Sequence, residues 1–354
     1  MTSTNNTNST SRGPSGTSSR LSLQPRPVCN SVDELLADAT EHQSFITSDS
    51  KSGNPFERVT IAGEPHVMKY VHVDDDFTIR GLGDLAPRAL TVWSTGLVDV
   101  APSFIDHALV GAARGIGRNG WGAALLMRDV SASLVPPGDG AISLEQHHSL
   151  LDHCAALAAR TWGFRDEFDL TPYELRYQFF GPGMIDAEEG LGFPTPVPRI
   201  AKDGWALFVD RAPLSLRGAV VELQRDVDPL VAALRRTPSA FLHGDWKLGN
   251  LGTASDGRTI LLDWSYPGEG PVCHELGWYL ALNCARLPES KEAAIDAFRA
   301  ALERHGVDTV SWWRQQLDVS LLGTFVQFGW EKAFGDDDEF GWWCDRAREG
   351  LAHL

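Results

Sequence analysis

One dipeptide, Asp256-Gly257, constrains local structure more than any other in these 354 residues. It sits inside Leu251-Gly-Thr-Ala-Ser-Asp-Gly-Arg-Thr-Ile260, between two short apolar stretches. Asp-Gly at such a place signals a two-residue β-hairpin loop, because a type I′ turn needs positive φ at both central residues. Counting outward from that loop pairs Ser255 with Arg258, Ala254 with Thr259 and, at the open end, Asn250 with Asp263. Residues directly opposite on an antiparallel pair lie about 4.5–5.5 Å apart at Cα and point to one face. The predicted ribbon therefore presents an amide and a carboxylate side by side. Just upstream, Phe241-Leu-His-Gly-Asp-Trp-Lys-Leu-Gly-Asn250 puts Asp245 on the loop that enters it.

Asn and Asp supply the oxygen ligands that Mg²⁺ prefers. A separate carboxylate such as Asp245 is what an attacking hydroxyl needs, to be oriented and to give up its proton. That division of labour is the one phosphoryl transfer calls for, since its catalysis is mostly positioning and charge neutralisation. A lone His-Gly-Asp is an ordinary loop. Followed by Asn250 and then, after a hydrophobic strand, by Asp263, it becomes a candidate site with Asp245 as base and Asn250 and Asp263 as metal ligands.

His243-Gly-Asp-Trp-Lys-Leu-Gly-Asn250 with Asp263-Trp264 resembles the signature of the aminoglycoside phosphotransferase and choline kinase-like enzymes, which share the protein-kinase-like fold. The resemblance implies an α+β chain of two lobes: a small N-terminal lobe built on an antiparallel β-sheet, and a larger, mainly helical C-terminal lobe. It implies ATP and Mg²⁺ as cosubstrate and cofactor, and a hydroxyl of a small molecule as phosphoryl acceptor. Lys247 stands two residues after Asp245, as in the protein-kinase catalytic loop, where the equivalent Lys contacts the γ-phosphate. Glu275 falls where the family usually carries an Asp that braces the catalytic loop.

The N-terminal half fits the same pattern. Phe56–Ile61 and His66–Val71 are β-type runs around Ala62-Gly63-Glu64-Pro65, a second hairpin signal. His66-Val-Met-Lys69 resembles the strand Lys motif of protein kinases, which implies that Lys69 contacts the α/β-phosphates of ATP. Lysine occurs at six positions only, among many arginines. A compact point charge kept against that background suits phosphate contact. The polar loop 48–53, with Ser50 and Lys51, is the candidate phosphate cover. The strand Trp121–Val130 leads toward the interlobe linker, where by analogy backbone groups from Met127 to Asp129 meet adenine. The pattern also asks for a Glu on the helix expected over Asp84–Thr95, and Ala89 stands in its place, with Asp84 the nearby acidic substitute. That departure keeps a nucleotide-binding pseudokinase as the alternative. A two-carboxylate glycosidase or a protein kinase fits less well, the latter because no activation segment separates Asp263 from Glu275.

Residues 1–28 are rich in Ser, Thr, Asn and Pro, too polar to offset their ordering entropy, and read as a disordered tail. The division expected is tail 1–28, nucleotide-binding lobe 29–135 and catalytic, acceptor-binding lobe 136–354, with Pro136-Pro-Gly-Asp-Gly140 at the boundary. Ser143-Leu-Glu-Gln146 is a capping box opening a helix with an apolar stripe. On that helix His147, His148 and His153 read as surface or packing residues. The segment 180–200 is Gly/Pro-rich and predicted irregular. Helices are expected over Glu275–Ala285, Lys291–His305, Val310–Phe334 and Phe340–Leu354. Their tryptophans read as core, and Asp336-Asp-Asp-Glu339 as a solvated turn or, with Glu331, as an acidic patch for an amino-bearing acceptor. The net charge of −16 argues against nucleic acid or an anionic membrane as partner. No apolar run approaches the ~20 residues of a membrane span. Five scattered cysteines without a Cys-x-x-Cys pair fit a reduced, cytoplasmic setting. The motifs leave the acceptor and the oligomeric state open.

Overall fold

The computed structural model of the protein describes residues 22–45, 52–193 and 195–354. Ser50 and Lys51, with most of the candidate phosphate cover, lie outside the described residues. In chain order the first part holds α1 (Val32–Leu35), β1 (Ala39–Phe45), β2 (Phe56–Ile61), β3 (Glu64–Val71), α2 (Phe77–Gly81), α3 (Arg88–Thr95), β4 (Ile105–Asp106), β5 (Leu109–Ile116) and β6 (Gly122–Arg128). The second holds α4 (Leu144–Arg160), α5 (Tyr173–Gln178), α6 (Pro182–Leu191), α7 (Pro196–Arg211), α8 (Leu214–Arg225), α9 (Asp228–Leu234), β7 (Ala240–Leu242), β8 (Leu251–Thr253), β9 (Thr259–Leu261), β10 (Gly268–Gly270), α10 (Val272–Leu282), α11 (Lys291–Arg304), α12 (Trp313–Lys332) and α13 (Asp337–Leu351). This is the expected α+β, kinase-like architecture: an antiparallel five-stranded sheet, order β1-β2-β3-β6-β5, followed by a mainly helical part.

The β2–β3 connection is the tight turn expected. Ile61 faces Glu64, and Ala62 and Gly63 both take positive φ, as a two-residue loop requires. Lys69 thereby sits mid-strand in β3, between Phe56 on β2 and Leu125 on β6. Flanked by strands on both sides, it is buried, at 6% exposure.

The second hairpin departs from the expected register. Leu251 faces Leu261 and Thr253 faces Thr259, so Asn250 pairs with Leu262 rather than with Asp263. The turn holds three residues, closed by Ala254 N–H to Arg258 O, and only Gly257 in it has positive φ. This is the three-residue loop with a left-handed glycine, not the two-residue type I′ loop. Asp256 keeps negative φ because only one left-handed position is needed here. A one-residue slip turns every side chain to the opposite face. Something else must therefore bring Asp263 into the site.

The hairpin is fastened to the sheet-bearing half. β4 pairs in parallel with β9, and Leu134 bridges Gly252, with Val135 N–H donating to Leu251 O. Residues 22–28, expected in the tail, instead lie along α3. Arg26 stacks over Trp93 and pairs with Asp99, and the Trp93 indole donates to Pro27 O. The segment 180–200 is not irregular either, since α6 and α7 both fall in it. Pro182 and Pro196 stand at the first helical positions, where the missing N–H costs nothing, and Gly192 ends α6 in the left-handed conformation. Of the late tryptophans, Trp312, Trp313, Trp330 and Trp343 are buried core, as read, whereas Trp342 is only half-buried. Among the described residues no helix is long and apolar enough to cross a membrane.

Candidate active site

Asp245 is the centre of the site. It is 1% exposed, yet its carboxylate is fully engaged. Oδ2 accepts from Lys247 Nζ and from Asn250 Nδ2, each at 2.7 Å, and Oδ1 accepts from Trp278 Nε1 at 2.8 Å. Burial pushes the Asp245 pKa up, the Lys247 ammonium pulls it back, and the Asp263 carboxylate adds to the rise. Burial alone would depress Lys247, but Asp245 and Asp263 outweigh it and raise its pKa. These three groups act as one electrostatic unit.

Asp263 reaches that unit through its backbone, not through ladder register. It adopts φ of 66°, in the left-handed region that Asp tolerates better than most side chains. The strand ends at Leu261, and this twist re-aims the carboxylate. Oδ1 takes Lys69 Nζ at 2.7 Å and the Ser265 hydroxyl. Burial opposes ionisation, but Lys69 and Lys247 hold the Asp263 carboxyl well below the usual carboxylate range. A non-glycine residue held there costs on the order of 1–3 kcal/mol, and such cost is characteristic of functional positions.

These residues fit a hard divalent cation. Asn250 commits its NH₂ to Asp245, so the amide oxygen is the atom left for a metal. Lys69 and Ser265 both bind Oδ1 of Asp263, leaving Oδ2. Two oxygens, one of them anionic, suit Mg²⁺.

The loop is braced from behind by α10. Gly244 N–H donates to Glu275 Oε1 at 2.6 Å, in the place where the brace was expected. The Asn283 side-chain carbonyl accepts Leu248 N–H, and neutral His243, its pKa pushed down to about 3 by burial, accepts Asp245 N–H on Nδ1. Gly244 has φ of +84°, and a Cβ there would meet Tyr266 O at 2.1 Å. Gly244→Ala is expected to cost more than about 2 kcal/mol in a urea melt, from strain plus backbone collision. A change of a few tenths would contradict that.

Burial also raises the Glu275 carboxyl to about 7, against the opposing pull of Gly244 N–H and Arg176. A folded-state pKa above the unfolded one means that the stabilising form is the protonated acid. That stability is complete below the unfolded value and is lost as pH rises through the folded one. Between about pH 4.5 and 7 the protein is expected to lose stability relative to Glu275→Gln. Urea midpoints of the pair that run parallel over this range would refute it.

On the β3 side the expected helix partner of Lys69 is indeed missing. Ala89 packs into the apolar core, and Asp84 spends both oxygens on the Arg88 N–H at the start of α3. The residue that sequence reasoning missed is Asp76. It is completely buried at the N-cap of α2 and accepts from Thr78 and Asn54. Burial raises its pKa, and the strongest opposing influence is the Lys69 charge. The local signal was an Asp two residues before Thr78, the N-cap of the short helix after β3, and sequence reasoning passed over it. Trp278, the third donor to Asp245, had no local signal at all.

Met127 to Asp129, where the adenine contact was expected, lie at the end of β6 with part of their backbone engaged. Met127 is paired with Val67 on one side and Leu109 on the other. Asp129 N–H donates to Pro65 O and Arg128 N–H to Ala108 O, while the Asp129 carboxylate binds Ser131 and Arg58. The strand, expected over Trp121–Val130, is Gly122–Arg128, and the Arg128 and Asp129 N–H groups are taken by Ala108 O and Pro65 O. In the acidic run Asp336 caps α13, the exposed Asp337 pairs with Arg211, and Glu339, with Glu331, meets the buried Lys332.

Residues 208–313, which contain Asp245, Lys247, Asn250 and Asp263, match the phosphotransferase enzyme family. The match covers this catalytic segment alone and makes it similar to the phosphotransferases of that family. No curated protein matches it by sequence. Among solved structures, an amicoumacin kinase in complex with AMP-PNP and Ca²⁺ superposes on this chain with a TM-score of 0.52 at 13% identity, covering 91% of this chain and 92% of that one. The choline kinase of Streptococcus pneumoniae gives 0.49 at 11% identity, covering 91% and 98%. A microcompartment-associated aminopropanol kinase gives 0.48 at 12% identity, covering 88% and 90%. At 13% identity the amicoumacin kinase match speaks to the fold alone.

Proposed function

We propose that the protein transfers the γ-phosphoryl group of ATP to a hydroxyl of a small molecule, with Asp245 as the base. The observation that carries this reading is the continuous polar chain from β3 to α10. Lys69 binds Asp263, Asp263 and Lys247 share a field, and Lys247, Asn250 and Trp278 converge on Asp245. In the proposed reaction Asp245 orients the acceptor hydroxyl and takes its proton, helped by a pKa that burial has lifted. Trp278 and Asn250 fix the carboxylate plane. Lys69 leaves Asp263 for the α/β-phosphates, and Lys247 offsets charge on the γ-phosphate. Asn250 and Asp263 would hold Mg²⁺, which supplies charge neutralisation between the phosphates. Asp76 stands in for the absent helix Glu as the fixed charge behind Lys69. We place ATP between a sheet lobe of residues 29–135 and a helical lobe of residues 136–354.

The acceptor class follows from the family rather than from a resolved pocket: an aminoglycoside-like molecule, an amino alcohol or a sugar. The test is an ATP-consumption screen over those three classes, with Asp245→Asn as blank. Turnover above the blank with one class supports the reading. The rival, a pseudokinase, draws on Ala89 and on a resting Lys69 held by Asp263. Stabilisation by Mg²⁺-ATP without turnover for any acceptor would favour it.

A further inference from the structure

Away from the catalytic loop, three side chains converge where α4 meets the turn before α11. His147 is completely buried, and its Nε2 lies 3.1 Å from Glu289 Oε1. His148, one residue on and half-exposed, brings its Nε2 to the same oxygen, also at 3.1 Å. All three atoms lie within 4.8 Å of one another. Ligands of a tetrahedral ion at bond lengths of ~2.0–2.1 Å stand about 3.3 Å apart, so the set is close to the spacing a zinc ion needs. The far side of the buried ring is also provided for. His147 Nδ1 lies 2.9 Å from the Tyr279 hydroxyl on α10, the outer contact that fixes the tautomer and orientation of a metal-binding imidazole.

We propose that His147 Nε2, His148 Nε2 and Glu289 form a Zn²⁺ site with a fourth position open to water, tying α4 to the turn that leads into α11. Two imidazoles and one carboxylate favour zinc over the hard Mg²⁺ assigned to Asn250 and Asp263. Binding displaces any proton on either Nε2 to solvent and involves no redox change. Glu289 and Tyr279 both lie on α10 or the turn that follows it, so the ion would sit behind the helix that carries Glu275 and Trp278.

The test is a calorimetric Zn²⁺ titration of the full chain, stripped with chelator and kept in excess Mg²⁺, repeated with Co²⁺ as a spectroscopic probe. Expected are one ion per chain, the visible bands of tetrahedral Co²⁺ without thiolate charge transfer, and a rise of a few degrees in Tm. His148→Ala, at a half-exposed position, and Glu289→Gln, which keeps a hydrogen-bonding oxygen, are each expected to weaken Zn²⁺ at least about tenfold while the metal-free fold is unchanged by circular dichroism. No saturable binding, equal affinity in either variant, or a thiolate signature pointing to a cysteine site would overturn the assignment. In those cases Glu289 merely bridges two imidazoles.

Discussion

Asp245→Asn is expected to retain Mg²⁺-ATP binding while turnover falls by about 10²–10⁴-fold, the range for removal of a general base. The substitution keeps shape and burial but removes the atom that accepts the proton. It also sets an amide NH₂ among three donors, Lys247, Asn250 and Trp278, so one of them loses its acceptor. An unsatisfied buried donor costs about 1–3 kcal/mol, and a lower Tm is therefore part of the expected result. Nucleotide titration separates the effects: binding near the wild-type level with lost turnover assigns the defect to chemistry. Phosphorylation at a wild-type rate would remove Asp245 from the mechanism.

Asp263→Ala is expected to abolish the Mg²⁺ dependence of nucleotide binding and to destabilise the empty protein by about 3–5 kcal/mol, the range for stranding a buried partner. Lys69 is the stranded group. Its side chain is 7% exposed, and its hydrogen bond to Asp263 ties β3 to the segment that follows the catalytic hairpin. Asp76 nearby softens the loss without a direct bond. Asp263→Asn separates the two consequences: it keeps an oxygen facing Lys69 but drops the charge, so stability partly returns while Mg²⁺ dependence does not. Identical Mg²⁺ titrations for wild type and Asp263→Ala would refute the metal assignment.

The two-lobe architecture was legible through the resemblance of the catalytic motif, and the nearness of Asp245 and Asn250 through their short spacing. Alternation marked β2 and β3, and caps and apolar stripes marked α4 and the last helices. Register was not legible. Asp256-Gly257 permits both a two-residue loop and a three-residue loop with one left-handed glycine, and packing of Leu251 against Leu261 selected the second. Asp263 joined the site through its positive φ, which no spacing argument contains. Lys69's surroundings were hidden for a similar reason: the acid near it comes from a helix cap, Asp76, rather than from the helix after it. The backbone partners of Arg128 and Asp129, Ala108 and Pro65, were not legible because they are distant in sequence.

The Lys69–Asp263 contact has a consequence for order of arrival. An empty cleft in which cation and anion already clasp each other gives little attraction to a lone phosphate or a lone ion. Each newcomer frees the group the other needs, so in the proposed reaction nucleotide and magnesium enter synergistically, and by linkage each tightens the other to the same degree.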